Sequence, residues 1–165
     1  MSEAITIYLL RHAEAEEGGY DAYRPLTGAG RARMRRTADL FAAEMGPLDL
    51  ILSSPLVRAV QTAEILAGAI AFTEPLLIAP EIATPPKMSS LTDLFDGARA
   101  DVQGLALVGH EPILGALVGD LLKRPAVSFR RGEIYALRRD RTAKTTSFLW
   151  RITPDGPTRM NDLER

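Results

Sequence analysis

Ala4-Ile5-Thr6-Ile7-Tyr8-Leu9-Leu10-Arg11-His12-Ala13 decides how the rest of the chain is read. The run Ala4 to Leu10 is short, apolar and rich in Ile and Leu, which suits a strand buried on both faces. Arg11 and His12 then stand at its carboxyl end. In open α/β sheets that edge is where ligands bind. A guanidinium fork matches phosphate oxygens, and an imidazole nitrogen is a nucleophile near neutral pH. Phosphate chemistry at His12, one of only two histidines in the chain, is the first expectation.

Working outward, four more segments read as strands: Leu48-Ser53, Leu105-Gly109, Glu133-Arg138 and Ser147-Thr153, the last pairing with the one before it. Helical patterns separate the first three strands. Thr27 is a good N-cap for a helix running through Leu40 and Phe41 until Gly46-Pro47 stops it. Ser54-Pro55 repeats that start signal, a capping hydroxyl and a first-turn proline, for a helix to about Ala69. A third helix is expected from Ser89 to Ala100. Glu111-Pro112 opens a fourth, with Ile113, Leu114, Leu117, Val118, Leu121 and Leu122 as an apolar stripe. Thr73 to Lys87, with Pro75, Pro80, Pro85 and Pro86, reads as an irregular connection, a kind of segment that often carries function. The tail from Pro154 reads as turn and frayed end. Alternating β and α elements predict an α/β fold: a three-layer α/β/α sandwich with a mostly parallel central sheet and an antiparallel C-terminal edge.

Bulk properties narrow the function. The 165 residues suit one domain, 1–165, with a substantial core. The absence of cysteine excludes disulfides, thiolate metal sites and a Cys nucleophile, and suits a cytoplasmic location. A net charge of −1 argues against a general nucleic-acid binder. No stretch is apolar for long enough to span a bilayer, and Met1-Ser2-Glu3 lacks the basic start of a signal peptide. Glu14, Glu16 and Glu17 read as a solvated acidic loop rather than a metal cluster, since no second histidine stands at ligand spacing. The cluster Arg31, Arg33, Arg35 and Arg36 reads as a solvated helix face. Trp150, with Phe148 and Ile152, reads as packing.

Three strand ends deliver polar residues. Leu10 leads into Arg11-His12, Ser53 through Ser54-Pro55 to Arg58, and Gly109 into His110. As parallel neighbours these strands bring all four residues to one rim. Arg58 falls in a first helical turn and His110 just before a helix, where free N–H groups favour anions. Such a pocket fits a tetrahedral dianion. One histidine attacks phosphorus, the arginines stabilise charge on the equatorial oxygens, and the other histidine, where cationic, adds a donor. The chemistry calls for no metal and no cofactor.

These motifs resemble one family. Arg11-His12-Ala13, Leu26-Thr27 with Gly30, Ser53-Ser54-Pro55 with Arg58, Ala59, Gln61 and Thr62, and Val108-Gly109-His110 are similar, in kind and order, to the histidine phosphatase superfamily, the phosphoglycerate mutase-like proteins. Short length, Arg24-Pro25-Leu26-Thr27 and Pro80-Glu81-Ile82 resemble its compact SixA-type phosphohistidine phosphatase branch. The resemblance implies that His12 is the phosphorylated nucleophile and that Arg11, Arg58 and His110 bind the phosphoryl group, with Arg24 joining them. Glu81 occupies roughly the place of the general acid in mutase-like relatives. Two departures stand out: Ala13 replaces the family's usual glycine, and the chain has little room for the insertions that wall the pocket of larger members.

The expected function is therefore a phosphatase working through phospho-His12 without a metal, on protein phosphohistidine such as that of a histidine phosphotransfer domain. Small phosphoesters are the alternative substrate. An alternative of another class is a non-catalytic phosphate-binding interaction module, against which the intact His12 argues. Neither nucleic acid nor membrane is an expected partner.

Overall fold

The structure, a computed structural model, describes residues 3–153 and 155–159. Its centre is a seven-stranded sheet in the order β3-β2-β4-β1-β5-β6-β7. β1 (Ala4–Arg11), β2 (Leu50–Ser53), β3 (Leu77–Ile78) and β4 (Gly104–Gly109) run parallel. β5 (Ile134–Asp140), β6 (Thr145–Thr153) and β7 (Gly156–Arg159) close the other edge antiparallel. The helices are α1 (Gly28–Glu44), α2 (Val57–Ala69), α3 (Ser89–Asp96) and α4 (Ile113–Leu122).

Strand alternation divides the core in two. Ile5, Ile7 and Leu9 of β1, with Leu105 and Leu107 of β4, pack against Leu91 and Phe95 of α3 and Leu114, Leu117, Val118 and Leu121 of α4. Tyr8 and Leu10, with Ala106 and Val108, face Met34, Ala38 and Phe41 of α1 and Ala59, Ala63 and Leu66 of α2. Because successive side chains leave a strand on opposite faces, strands apolar at every position need cover on both sides. The result is the expected three-layer sandwich. In β6, Phe148 and Trp150 are two residues apart yet serve opposite cores. A bulge makes this possible, because Ala136 pairs with Trp150 while Leu137 pairs with Phe148, so Leu149 is the extra residue.

Several boundaries differ from expectation. The irregular connection after Thr73 contains β3, added beside β2, and a 3-10 turn at Pro80–Ile82. The third helix stops at Asp96, four residues early, where Gly97 caps it. The tail is not frayed after the turn: Gly156–Arg159 pairs with β6, which supplies the open edge with a partner, while the expected turn residue Pro154 lies outside the described residues. Thr27 caps α1 as expected, its side chain accepting from Gly30 N. Ser54 does not cap α2, which begins only at Val57 after Leu56. Its Oγ accepts from Leu56 N at 3.2 Å, ahead of the helix, and also engages another partner. Among the described residues no helix is long and apolar enough to cross a membrane.

Candidate active site

Strand register brings the polar residues together. β4 lies between β1 and β2, with Arg11 opposite Gly109 and Ser53 opposite Val108. The backbone extends this pairing past the strand ends, since His12 N donates to Gly109 O at 3.0 Å and Ser54 N to Val108 O at 3.0 Å. His12 and His110 follow on adjacent strands, their ring centroids 5.2 Å apart. Both rings are buried.

The His12 ring has a fixed orientation. Its Nδ1 lies 2.7 Å from Ala13 O, and a carbonyl can only accept, so Nδ1 carries the proton and Nε2 keeps its lone pair. Burial, followed by the charges of Arg58, Arg11 and Arg131, pulls the pKa of His12 down to about 4, outweighing the opposing effect of the Ala13 bond. The imidazole is therefore neutral at pH 7. Ala13 is held in turn by Thr62 of α2, whose Oγ1 accepts from Ala13 N at 3.0 Å and donates to Arg58 O at 2.7 Å. Ala13 is not among the residues with positive φ, so this backbone has no requirement for the family's glycine. At Gly30 the constraint is real: an added Cβ would collide with Glu14 O, so glycine lets α1 approach the segment after His12.

Arg58, at the second position of α2, is buried and donates from Nη1 to Asp21 O at 2.7 Å and from Nη2 to Asp21 Oδ2 at 3.2 Å. Arg24 grips the same carboxylate, with Nη2 2.7 Å from Asp21 Oδ1, and reaches Glu16 O from Nη1 at 3.0 Å. Asp21 sits in the 3-10 turn Asp21–Tyr23, and the two arginines hold its pKa below the usual carboxylate range. Leu26 N donates to Gln61 Oε1 at 2.8 Å, tying the segment after Arg24 to α2. Arg11 donates from Nη1 to Phe129 O at 2.6 Å. Gly132 N donates to both Arg11 O and His12 O, at 3.1 and 3.2 Å, which wraps the turn carrying Arg131 around His12.

His110 immediately follows β4 and precedes α4. Its Nε2 lies 2.6 Å from Ser54 Oγ, and its buried Nδ1 has no partner among the described residues. Burial, then His12 and Arg58, lowers its pKa to about 3. The condition attached to the second histidine, that it be cationic, is not met in the free pocket: His110 is neutral there, because a desolvated site already holding arginines penalises a further positive charge.

Glu81 lies on the turn Pro80–Ile82, half-buried, with no hydrogen bond or ion pair among the described residues. Ile82 anchors that turn at the site, since a Cβ on Gly109 would stand 2.7 Å from Ile82 Cγ2. Glu14 is not simply solvated: its Oε1 accepts from Thr27 Oγ1 at 3.2 Å. Among the described residues no group of three His, Asp or Glu could hold a metal. Sequence reasoning missed Asp21 and Arg131. Asp21 had a signal in its spacing from Arg24, whereas Arg131 comes near only through folding of the β5 end.

Comparison with known proteins adds independent findings. Residues 7–82 match the model of the histidine phosphatase superfamily (branch 1). Phosphohistidine phosphatase SixA of Escherichia coli (strain K12) is 26% identical over 153 residues, covering 90% of this chain and 93% of its own. An uncharacterized protein of Picosynechococcus is 35% identical over 112 residues, 66% of this chain and 68% of that one. The structure of the protein histidine phosphatase SixA complexed with tungstate superposes with a TM-score of 0.84 at 22% identity, over 92% of this chain and 98% of that one.

Proposed function

The chain belongs to the histidine phosphatase superfamily, and from that premise we propose that it is a metal-independent phosphatase in which His12 is phosphorylated and protein phosphohistidine is the substrate. The observation that carries the reading is the Nδ1 bond of His12 to Ala13 O, which leaves an unprotonated Nε2 among Arg11, Arg58 and His110. A binding module has no need of such a nucleophile.

In the first step Nε2 attacks phosphorus in line, the N–P bond forms, and the bond to the leaving nitrogen breaks with its electron pair going to that nitrogen. Arg11 and Arg58 neutralise the equatorial oxygens, the electrostatic work a metal ion would otherwise do. Arg24, bridged to Arg58 through Asp21, extends the cationic wall. Water then attacks phospho-His12, the N–P bond breaks, and Nε2 recovers its lone pair while the water proton leaves with phosphate or solvent. Tungstate is a tetrahedral oxyanion like phosphate, and the SixA structure that this fold resembles is a tungstate complex, which supports a phosphoryl ligand for this chain. A departing imidazole accepts a proton readily, so phosphohistidine makes little demand on Glu81. An alkyl ester demands a proton donor, and the position of Glu81 on a turn seated against Gly109 is what favours small phosphoesters as the second reading.

The test is acid-labile trapping. Wild-type protein quenched during turnover of a ³²P-labelled phosphohistidine protein is expected to carry acid-labile, base-stable label that His12→Ala lacks. Absence of label on wild type across phosphohistidine protein, p-nitrophenyl phosphate and sugar phosphates would sink the covalent mechanism.

A further inference from the structure

Ser54 is fully buried, three residues ahead of the start of α2 at Val57, and its hydroxyl meets His110 Nε2 at 2.6 Å. We propose that Ser54 is a positioning residue that fixes the tautomer of His110, donating its hydroxyl proton to Nε2 so that Nδ1–H becomes the donor to the phosphoryl group on His12. The inference rests on the phosphatase reading above and assigns to one side chain the proton arrangement that reading needs.

The hydrogen-bond inventory at Ser54 points one way. A serine hydroxyl has one proton to give and can accept from others. Ser54 Oγ already accepts from Leu56 N at 3.2 Å, and its own proton has one neighbour at short range, His110 Nε2. If Nε2–H were the donor instead, Nδ1 would hold a bare lone pair. That nitrogen is buried and has no other partner among the described residues, on a ring 5.2 Å from the nucleophile. A lone pair facing phosphoryl oxygens repels them, whereas an N–H attracts them. The low pKa of His110 makes the tautomer decisive, because a ring kept neutral carries one proton and can donate only from the nitrogen that holds it. Ser54 is itself fixed by Ser54 N bonding to Val108 O, the strand preceding His110, and by Ser53 Oγ donating to Ser54 O at 2.8 Å. Serine and histidine thus ride on neighbouring strand ends whose register keeps them in contact.

The decisive measurement is ¹⁵N NMR of the two imidazoles in the free protein at pH 7, beside steady-state kinetics. Wild type is expected to show His110 as the Nδ1–H tautomer. Ser54→Ala should move it toward Nε2–H, leave the His12 tautomer unchanged, and lower kcat/KM by about 10- to 100-fold, as losses of partners that orient a working histidine do. Ser54→Thr, which keeps the hydroxyl, should restore both. An Nε2–H tautomer in wild type, or an unchanged His110 in Ser54→Ala, overturns the proposal. Should Ser54→Ala not fold, the wild-type spectrum decides alone. Phosphoenzyme trapping is read separately: a labelled wild type with Nε2–H at His110 overturns the role of Ser54 only, whereas Nδ1–H without label upholds the tautomer assignment but overturns the phosphatase reading and with it the donor role toward phospho-His12.

Discussion

Two histidines in similar burial receive different partners, and the partner sets which nitrogen each one offers. At His12 a backbone carbonyl, which can only accept, pins Nδ1–H and bares Nε2. At His110 a hydroxyl engages Nε2 and leaves Nδ1 free. Glu81 differs from both in having no polar partner among the described residues, so nothing in the free protein commits its carboxyl to a structural task. That freedom suits a proton donor whose partner arrives with the substrate. Glu81→Gln is accordingly expected to lower turnover of alkyl phosphates by about 100-fold, the lower range for loss of a general acid. Turnover of a phosphohistidine protein should stay within about threefold, because its leaving group needs less help. Parallel kinetics on p-nitrophenyl phosphate, an alkyl phosphate and a phosphohistidine protein check this, and equal losses on all three would show that Glu81 only braces its turn.

Among the elements, the 3-10 turn Asp21–Tyr23 joins two arginines that sequence reading assigned to the phosphoryl group. Asp21 holds Arg58 in two ways, through its backbone carbonyl and through its carboxylate. Asp21→Asn keeps the first and removes a negative charge beside both cations. Inorganic phosphate should then inhibit about two- to fivefold more tightly, a modest gain because the Asp21 side chain is largely exposed and solvent screens its charge. Competitive inhibition constants measure it, and weaker inhibition would show that the carboxylate orients Arg58 rather than competing for it. The same scale shows what the sequence discloses. β1, β2 and β4 were legible because each is an uninterrupted apolar run, and their parallel register alone brings Arg11, His12, Arg58 and His110 together. β3 was not, since two exposed residues between prolines carry no periodicity; only the open edge of β2 gives them a partner. Ser54-Pro55 looks like a helix start because capping and tautomer control use the same hydroxyl, and sequence cannot say which acceptor lies across the gap. Asp21 had a local signal in its spacing from Arg24, but its link to Arg58, 37 residues on in α2, is made only by folding.

For the whole molecule, the site costs stability in a pH-dependent way whose sign can be worked out. His12 and His110 titrate near 6.5 when unfolded and at about 4 and about 3 when folded. Above about pH 6.5 both states hold them neutral, and they add nothing to the pH slope. Between about 6.5 and 3 the unfolded chain takes up protons that the native pocket refuses, so stability falls as pH falls, by an amount on the order of several kcal/mol for the pair. Carboxylates held low by arginines, such as Asp21 and Asp96, lose their contribution only lower still, as pH falls through their depressed pKa values. Burial raises the carboxyls of Glu111 and Glu133, which take up protons in the native state first and so oppose the histidines as pH falls. The comparison with a histidine-free variant, rather than pH alone, isolates the histidine effect near pH 5. Urea unfolding should show a lower midpoint at pH 5 than at pH 7.5, and the double variant His12→Asn/His110→Asn should lose most of that difference. Phosphate, a ligand for the native pocket alone, should raise the wild-type midpoint in proportion to the logarithm of its concentration once saturating and should do so little in the double variant. A pH 5 to 7.5 difference that survives in the double variant would place the acid sensitivity outside the site. The desolvation that keeps His12 neutral would then not be what weakens the fold.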